Sequence, residues 1–250
     1  GVQLPHRISF APVSDGELAA AAQTRLLFGH QSVGADILRG VAALYDRTDV
    51  APWRIVDARL PLDLAQGYLA HCPVGRNREP VAKLREFKDL VDGRIDSQVD
   101  IALVKFCYAD VDATTDVPAL FKEYSDTMDA LTRKRPQLAL LYCTVPLTTD
   151  RSWKGTIKAA LGRNNHAGPA DNLARDQFNN LVRTRYADTK RLFDIAAVEA
   201  APGGPATTRK HKGRHYSVLN KALSSDGGHL NAAGARAAAA ELVRLVAAAP

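Results

Sequence analysis

Apolar residues recur along this chain in two alternating rhythms. Short continuous runs, Thr24–Gly29, Trp53–Leu60, Val99–Phe106, Gln137–Val145 and Leu192–Val198, read as strands buried on both faces. Between them lie stretches with a helical period. Val33, Ile37, Leu38, Val41 and Leu44 mark one face of a helix over Val33–Tyr45. Further helices are expected over Glu79–Val91, Pro118–Lys134 and Asp171–Tyr186, and a last one runs from Ala232. Ser14 and Glu17 have the spacing of a capping box that opens a short helix near the start. Pro61–Arg78, broken by Gly67, Pro73 and Gly75, reads as an irregular segment, and 147–170 as a second long loop. Alternating strands and helices with continuous apolar strands predict an α/β fold: a three-layer α/β/α sandwich around a five-stranded parallel sheet, formed by residues 1–250 as one domain.

Length and composition narrow the class further. A chain of 250 residues that is 46% hydrophobic and 24% charged is long enough to bury a substantial core. No run reaches the ~18 apolar residues of a membrane span. The alanine-rich end is interrupted by Arg236, Glu241 and Arg244 and reads as a surface helix. The three cysteines give no disulfide framework; Cys107 and Cys143 each follow a strand pattern and are expected as buried thiols or as a bridged pair. The net charge of +6 is either a solvated basic surface or a preference for an anionic polymer. Its densest cluster is Arg209, Lys210, His211, Lys212, Arg214 and His215, without the aromatic interleaving of a nucleic-acid surface. The chain begins at Gly1 and has Met128 as its one methionine, so a leader could have been removed, and a secreted or periplasmic location is expected.

Parallel sheets bind ligands beyond the carboxyl ends of their strands. The unusual polar motifs of this sequence fall there. Phe28-Gly29-His30-Gln31-Ser32-Val33-Gly34 links the first strand to a helix, placing Ser32 at a helix N-terminus. Free N–H groups there suit either a plain cap or a nucleophile whose attack creates an oxyanion. Asp226-Gly227-Gly228-His229-Leu230-Asn231 precedes the last helix. A carboxylate and an imidazole three apart across two glycines can share a tight turn, fixing the histidine tautomer and leaving the second nitrogen free as a base. The same residues also fit a glycine turn, an Asn231 cap and a surface histidine.

A serine after the first strand together with Asp-x-x-His before the last helix resembles the SGNH/GDSL hydrolases, over nearly the whole chain. The segment DGGHLNAAG is the most specific part. The resemblance implies a flavodoxin-like sheet order 2-1-3-4-5 and ester hydrolysis without a cofactor or metal. It makes Ser32 the nucleophile, His229 the general base and Asp226 its orienting partner. Two departures stand out. The family's Gly-Asp-Ser is here Gly29-His30-Gln31-Ser32, and Lys105-Phe106-Cys107-Tyr108-Ala109-Asp110 carries no oxyanion asparagine. The oxyanion donors expected instead are the Ser32 N–H, the Gly75 N–H with Gly67 as substitute, and the Asn77 amide, which also fits a helix cap.

His30, Gln31, Lys105, Tyr108 and Asp110 are candidate substrate contacts. His30 has a packed histidine as its alternative, Lys105 an end-of-strand lysine and Asp110 a turn former. His71-Cys72 and His211/His215 match no zinc spacing. The expected activity is deacylation of a carbohydrate or other small ester. Acyl transfer on the same fold and a non-catalytic module for glycan or polyanion are the alternatives, with no nucleic-acid partner.

Overall fold

The computed structural model describes residues 11–95, 97–150, 166–201 and 203–249. Of the loop expected over 147–170, residues 151–165 lie outside the described residues, as does the chain start on which the leader expectation rests. Six strands form one parallel sheet: β1 (Arg25–His30), β2 (Arg54–Asp57), β3 (Tyr68–Pro73), β4 (Ile101–Val104), β5 (Ala139–Cys143) and β6 (Leu192–Phe193), in the order β2-β3-β1-β4-β5-β6. Seven α-helices are described: α1 (Asp15–Ala22), α2 (Ser32–Tyr45), α3 (Pro80–Asp92), α4 (Val117–Lys134), α5 (Pro169–Tyr186), α6 (Ile195–Ala200) and α7 (Ala232–Ala248). A hairpin of β7 (Thr208–His211) and β8 (Arg214–Ser217) stands apart from the sheet.

The three-layer sandwich is present, with one more strand than expected. The strand beside β1 is β3, from within the segment read as irregular, while Arg54–Asp57 is the outer edge. Gly67 and Pro73 bracket β3 rather than break it, and its register sets Phe28 beside His71 and Gly29 beside Cys72. Leaving out the edge strand, the order is the expected 2-1-3-4-5. The last expected strand is also shorter. Asp194 accepts from Ala197 N–H (3.1 Å), and this N-cap turns the apolar run Ile195–Ala200 into a helix.

Side chains of β1 alternate between two cores. Leu26 and Phe28 pack with Ile37 and Val41 of α2 and Leu242 and Val246 of α7; Leu27 packs with Phe87 of α3, Met128 of α4 and Phe178 of α5. The alanine-rich α7 is more deeply seated than a surface helix, with Ala235, Ala238, Ala239, Leu242 and Val243 buried. Of the three charges, Glu241 is itself buried, and Arg236 and Arg244 are partly so. Helices α2 and α7 approach so closely that a Cβ on Gly40 would lie 2.1 Å from the Ala235 carbonyl oxygen. All three cysteines are buried and free, so Cys107 and Cys143 are not bridged.

This contact makes a prediction. Gly40→Val forces the helices apart and is expected to destabilise the fold by about 1–3 kcal/mol or more. Equal denaturation midpoints for variant and parent would show that the interface yields without cost.

Candidate active site

Ser32 opens α2 directly after β1. Its N–H has no acceptor among the described residues, as expected at the first position of a helix. Its hydroxyl lies 3.9 Å from the Cys107 thiol, and no hydrogen bond joins it to His229. His229 is held in a tight turn. Its Nδ1 lies 2.7 Å from Asp226 Oδ2, and its backbone N–H donates to Asp226 Oδ1 (2.8 Å). Gly228 N–H donates to the same oxygen (3.0 Å). Partial burial works against ionising Asp226, but the His229 backbone, the His229 ring and Gly228 N–H together hold it down to about 2. The carboxylate therefore fixes Nδ1 as the protonated nitrogen and leaves Nε2, which has no partner among the described residues.

The local sequence explains the turn. Gly227 has a φ of +98°, a left-handed conformation that favours glycine. A Cβ on Gly228 would lie 2.8 Å from the Tyr108 ring. Tyr108 in turn meets the His229 ring edge to face, with centroids 5.9 Å apart.

Two bonds carry this turn to the sheet. Thr149 N–H donates to the Gly227 carbonyl (2.8 Å), and Leu230 N–H donates to Asp36 Oδ2 (3.0 Å). Asp36 lies one helical turn beyond Ser32 and is buried, with Arg39 on its other oxygen. The helix that begins with Ser32 thus grips the chain beside His229. Cys107 and Tyr108, adjacent in sequence, touch Ser32 and His229 respectively.

The other sequence candidates divide. Tyr108 lines the site. His30 is buried, with Nδ1 on the Gln31 carbonyl (2.9 Å) and Nε2 on His71 Nδ1 (3.0 Å); burial brings it down to about 4, so it is a packed neutral histidine and not a substrate contact. Gln31 commits its amide to the Val74 and Gly75 carbonyls (3.0 and 2.7 Å), fixing the loop after β3. Lys105 is wholly buried and donates to the Phe106 carbonyl (2.9 Å). Asp110 is buried too, accepting from Lys83 Nζ (2.5 Å), Arg78 N–H (2.7 Å) and Cys107 N–H (2.6 Å). Asp110, a rim candidate or a turn former, takes the turn role and braces the loops after β3 and β4; Lys105, a site cation or an end-of-strand lysine, is buried at the end of β4.

Of the oxyanion candidates, Gly75 N–H is taken by Glu86 (2.6 Å), and Gly67 precedes β3, at the wrong end of the sheet. Asn77 is exposed, and its Oδ1 accepts from Lys83 (2.9 Å), which assigns its Nδ2 as an uncommitted donor. No group of three or more His, Cys, Asp or Glu that could hold a metal occurs among the described residues.

Several structural residues went unread. Asp36 interrupts the inward face of α2, and Arg175 interrupts that of α5; a charge on an apolar face was the available signal. Arg175 is fully buried and donates to the Tyr108 and Val111 carbonyls (2.9 and 3.0 Å), Thr148 Oγ1 (3.0 Å), Asn172 Oδ1 (2.8 Å) and the His166 carbonyl. It ties together loops following β4 and β5. Glu199 of α6 accepts from Leu147 N–H (2.6 Å), while its other oxygen is buried without a partner among the described residues. Burial pushes Glu199 up to about 8, against the pull of the Leu147 N–H, Lys105 and Arg175.

A cleft of about 1030 Å³ adjoins the dyad, lined by Tyr108, the Asp226–Gly228 turn, Thr148–Asp150, Thr207, Arg209 and the stretch Val218–Lys221 with Ser224 and Ser225. No described helix is long and apolar enough to cross a membrane.

Comparison with solved structures places this architecture. The chain is similar to the acetyl xylan esterase AlAXEase, at 16% identity and a TM-score of 0.51 over 87% of this chain and 97% of that one. It is also similar to a GDSL-like lipase from Parabacteroides merdae (13% identity, TM-score 0.48, 90% and 95% covered). A third is a structure described as a platelet activating factor from Streptococcus pneumonia (13%, 0.49, 88% and 81%). No protein-family model and no curated protein matches the chain. The acetyl xylan esterase shares the fold of this chain, an α/β/α sandwich of the kind the resemblance implied.

Two predictions arise from the buried charges. Asp36→Ala strands Leu230 N–H and is expected to cost about 1–3 kcal/mol, whereas Asp36→Asn keeps an acceptor and costs less; equal denaturation midpoints for the two variants would contradict this. Glu199 has a folded pKa above that of an exposed carboxyl, so its stabilisation is full in acid and is lost as pH rises through about 8. Glu199→Gln should therefore melt with the parent near about pH 5 but several degrees above it near about pH 9. Parallel melting curves across that window would refute the assignment.

Proposed function

We propose that the chain is a serine ester hydrolase in which Ser32 is the nucleophile, His229 the general base and Asp226 the residue that orients it. The carrying observation is the 2.7 Å contact between His229 Nδ1 and Asp226, in a turn clasped by Asp36 to the helix that Ser32 begins. The free Nε2 takes the Ser32 proton after a side-chain rotation away from Cys107. Ser32 Oγ attacks the ester carbonyl carbon, and the carbonyl oxygen becomes an oxyanion. Ser32 N–H, reinforced by the N-terminus of α2, is the first donor to it, and Asn77 Nδ2 is the second. His229 returns the proton to the leaving alcohol. It then draws a proton from water, whose hydroxide releases the acid and restores Ser32. Tyr108 packs against His229 and limits its rotation.

The substrate in this reading is an acylated carbohydrate or another small polar ester. Support comes from the hydroxyl and amide side chains of the cleft, Thr148, Thr149, Thr207, Asn220, Ser224 and Ser225. The structurally similar acetyl xylan esterase is in keeping with it.

Ser32→Ala is expected to lower hydrolysis of 4-nitrophenyl acetate by about a thousandfold or more, and His229→Ala by a similar factor. Asp226→Asn should cost roughly a hundredfold or more, since the tautomer is no longer imposed. A fluorophosphonate probe should label the parent and not the Ser32 variant. Retained hydrolysis in Ser32→Ala, with labelling at another residue, would move the nucleophile elsewhere.

A further inference from the structure

We infer that the buried Lys83–Asp110 pair is the positioning element of the oxyanion site: Lys83 aims and polarises the Asn77 amide that donates to the oxyanion. This deepens the ester hydrolase reading and rests on it, since without Ser32 as nucleophile Asn77 has no oxyanion to serve.

Asn77 is exposed, in the loop between β3 and α3. A free side chain in such a place samples several rotamers and makes a poorly preorganised donor. One contact removes that freedom. Lys83 Nζ donates to Asn77 Oδ1 (2.9 Å). An ammonium offers donors and no acceptor, so the amide oxygen must face it and Nδ2 is left as the donor.

Lys83 comes to this loop from below. It lies on the inward face of α3 with Leu84, Phe87 and Val91, and is wholly buried. Its stem runs against Gly75, where a Cβ would lie 2.8 Å from Lys83 Cγ. Burial draws Lys83 below the ordinary lysine range, and Asp110, 2.5 Å away, opposes that fall. A buried ion pair adds little net stability, and its consequence lies in what it holds.

Asp110 fixes the far end of the pair. It accepts from the N–H of Arg78, the residue after Asn77 (2.7 Å), and from Cys107 N–H (2.6 Å). The Cys107 thiol lies 3.9 Å from Ser32 Oγ. A second route converges on the same loop: Gln31, the residue before Ser32, donates to the Val74 and Gly75 carbonyls (3.0 and 2.7 Å). The Asn77 loop is therefore tied to the Ser32 end of α2 from two sides.

The ion pair is neutral as a whole, so it lends the oxyanion no net charge. What it supplies is a stronger amide. An ammonium on the carbonyl oxygen draws electron density from the amide nitrogen and makes its N–H a better donor. The gain grows as charge develops on the ester oxygen, so it acts on the transition state more than on bound substrate.

A double-mutant cycle with 4-nitrophenyl acetate tests this. Asn77→Ala is expected to lower kcat about a hundredfold and Lys83→Met about tenfold, each with KM changed less than about twofold. The combined variant should keep about the rate of Asn77→Ala alone, because Lys83 acts through Asn77. A merely structural Lys83 would multiply the two losses. Lys83→Met leaves Asp110 with its two backbone donors. If it melts well below the parent, Lys83→Gln, which keeps a neutral donor towards Asn77, replaces it in the cycle with a smaller loss of the same kind. Multiplied losses, or full kcat in Asn77→Ala or in the Lys83 variant, would overturn the inference. Hydrolysis that is absent from the parent, or persists in Ser32→Ala, would remove the esterase reading and the inference with it. Hydrolysis that needs Ser32 but shows independent Lys83 and Asn77 effects would remove the inference alone.

Discussion

The hydrogen bond from Leu230 N–H to the Asp36 carboxylate joins early and late segments of this chain. Residues separated by 194 positions meet there, and the partners are a helix turn just past Ser32 and the residue just past His229. Closing so long a loop costs conformational entropy, and a single hydrogen bond does not offset it. The α2–α7 interface does, with Gly40 admitting the Ala235 backbone and Val41, Leu242 and Val246 filling the same core. Asp36 then selects the register. Hydrophobic burial brings the segments together, and one buried carboxylate decides which backbone N–H ends up beside Ser32.

The other loops at the carboxyl edge are fixed by the same device, a buried charge used to satisfy backbone groups. Arg175 spreads its donors over residues that follow two strands. Asp110 and Lys83 tie the loop after β4 to the loop after β3. Such groups add little net stability, because desolvation cancels most of the attraction. Their effect is directional. An apolar core tolerates sliding, whereas a guanidinium with five committed contacts does not.

How much of this could be read beforehand depended on whether a residue's role was local. The layer order, the Ser32 helix and the Asp226–His229 turn follow from spacing within a few residues, and these were legible. The β3 strand was not, because its flanking Gly67, Pro73 and Gly75 carry the local signal of a loop, and only pairing with β1 overrides it. Lys105, Asp110 and His30 each carried two readings, a substrate contact or a structural residue, and spacing alone does not choose between them. Each is buried with a partner that is distant in sequence or supplied by the backbone. Asp36 and Arg175 stood out only as charges on otherwise apolar helix faces: several of their partners are backbone carbonyls and N–H groups, which leave no mark in the sequence.

The division of charge across the molecule follows from these constraints. Beneath the site, Lys105, Arg175 and Asp36 are buried near Glu199, and burial pushes Glu199 towards its neutral form. Above it, Arg209 and Lys221 stay in water, in the same cleft as Asp150 and Asp226. The buried set has fixed geometry and is little affected by salt; the exposed set is loosely held and screened within about 10 Å at moderate salt. A proton relay needs the first kind of environment, because its distances must hold from one turnover to the next. The turn at Asp226–His229 lies between them, half exposed and hydrogen-bonded on one side, with a carboxylate that stays ionised down to about 2 and an imidazole nitrogen that faces no partner.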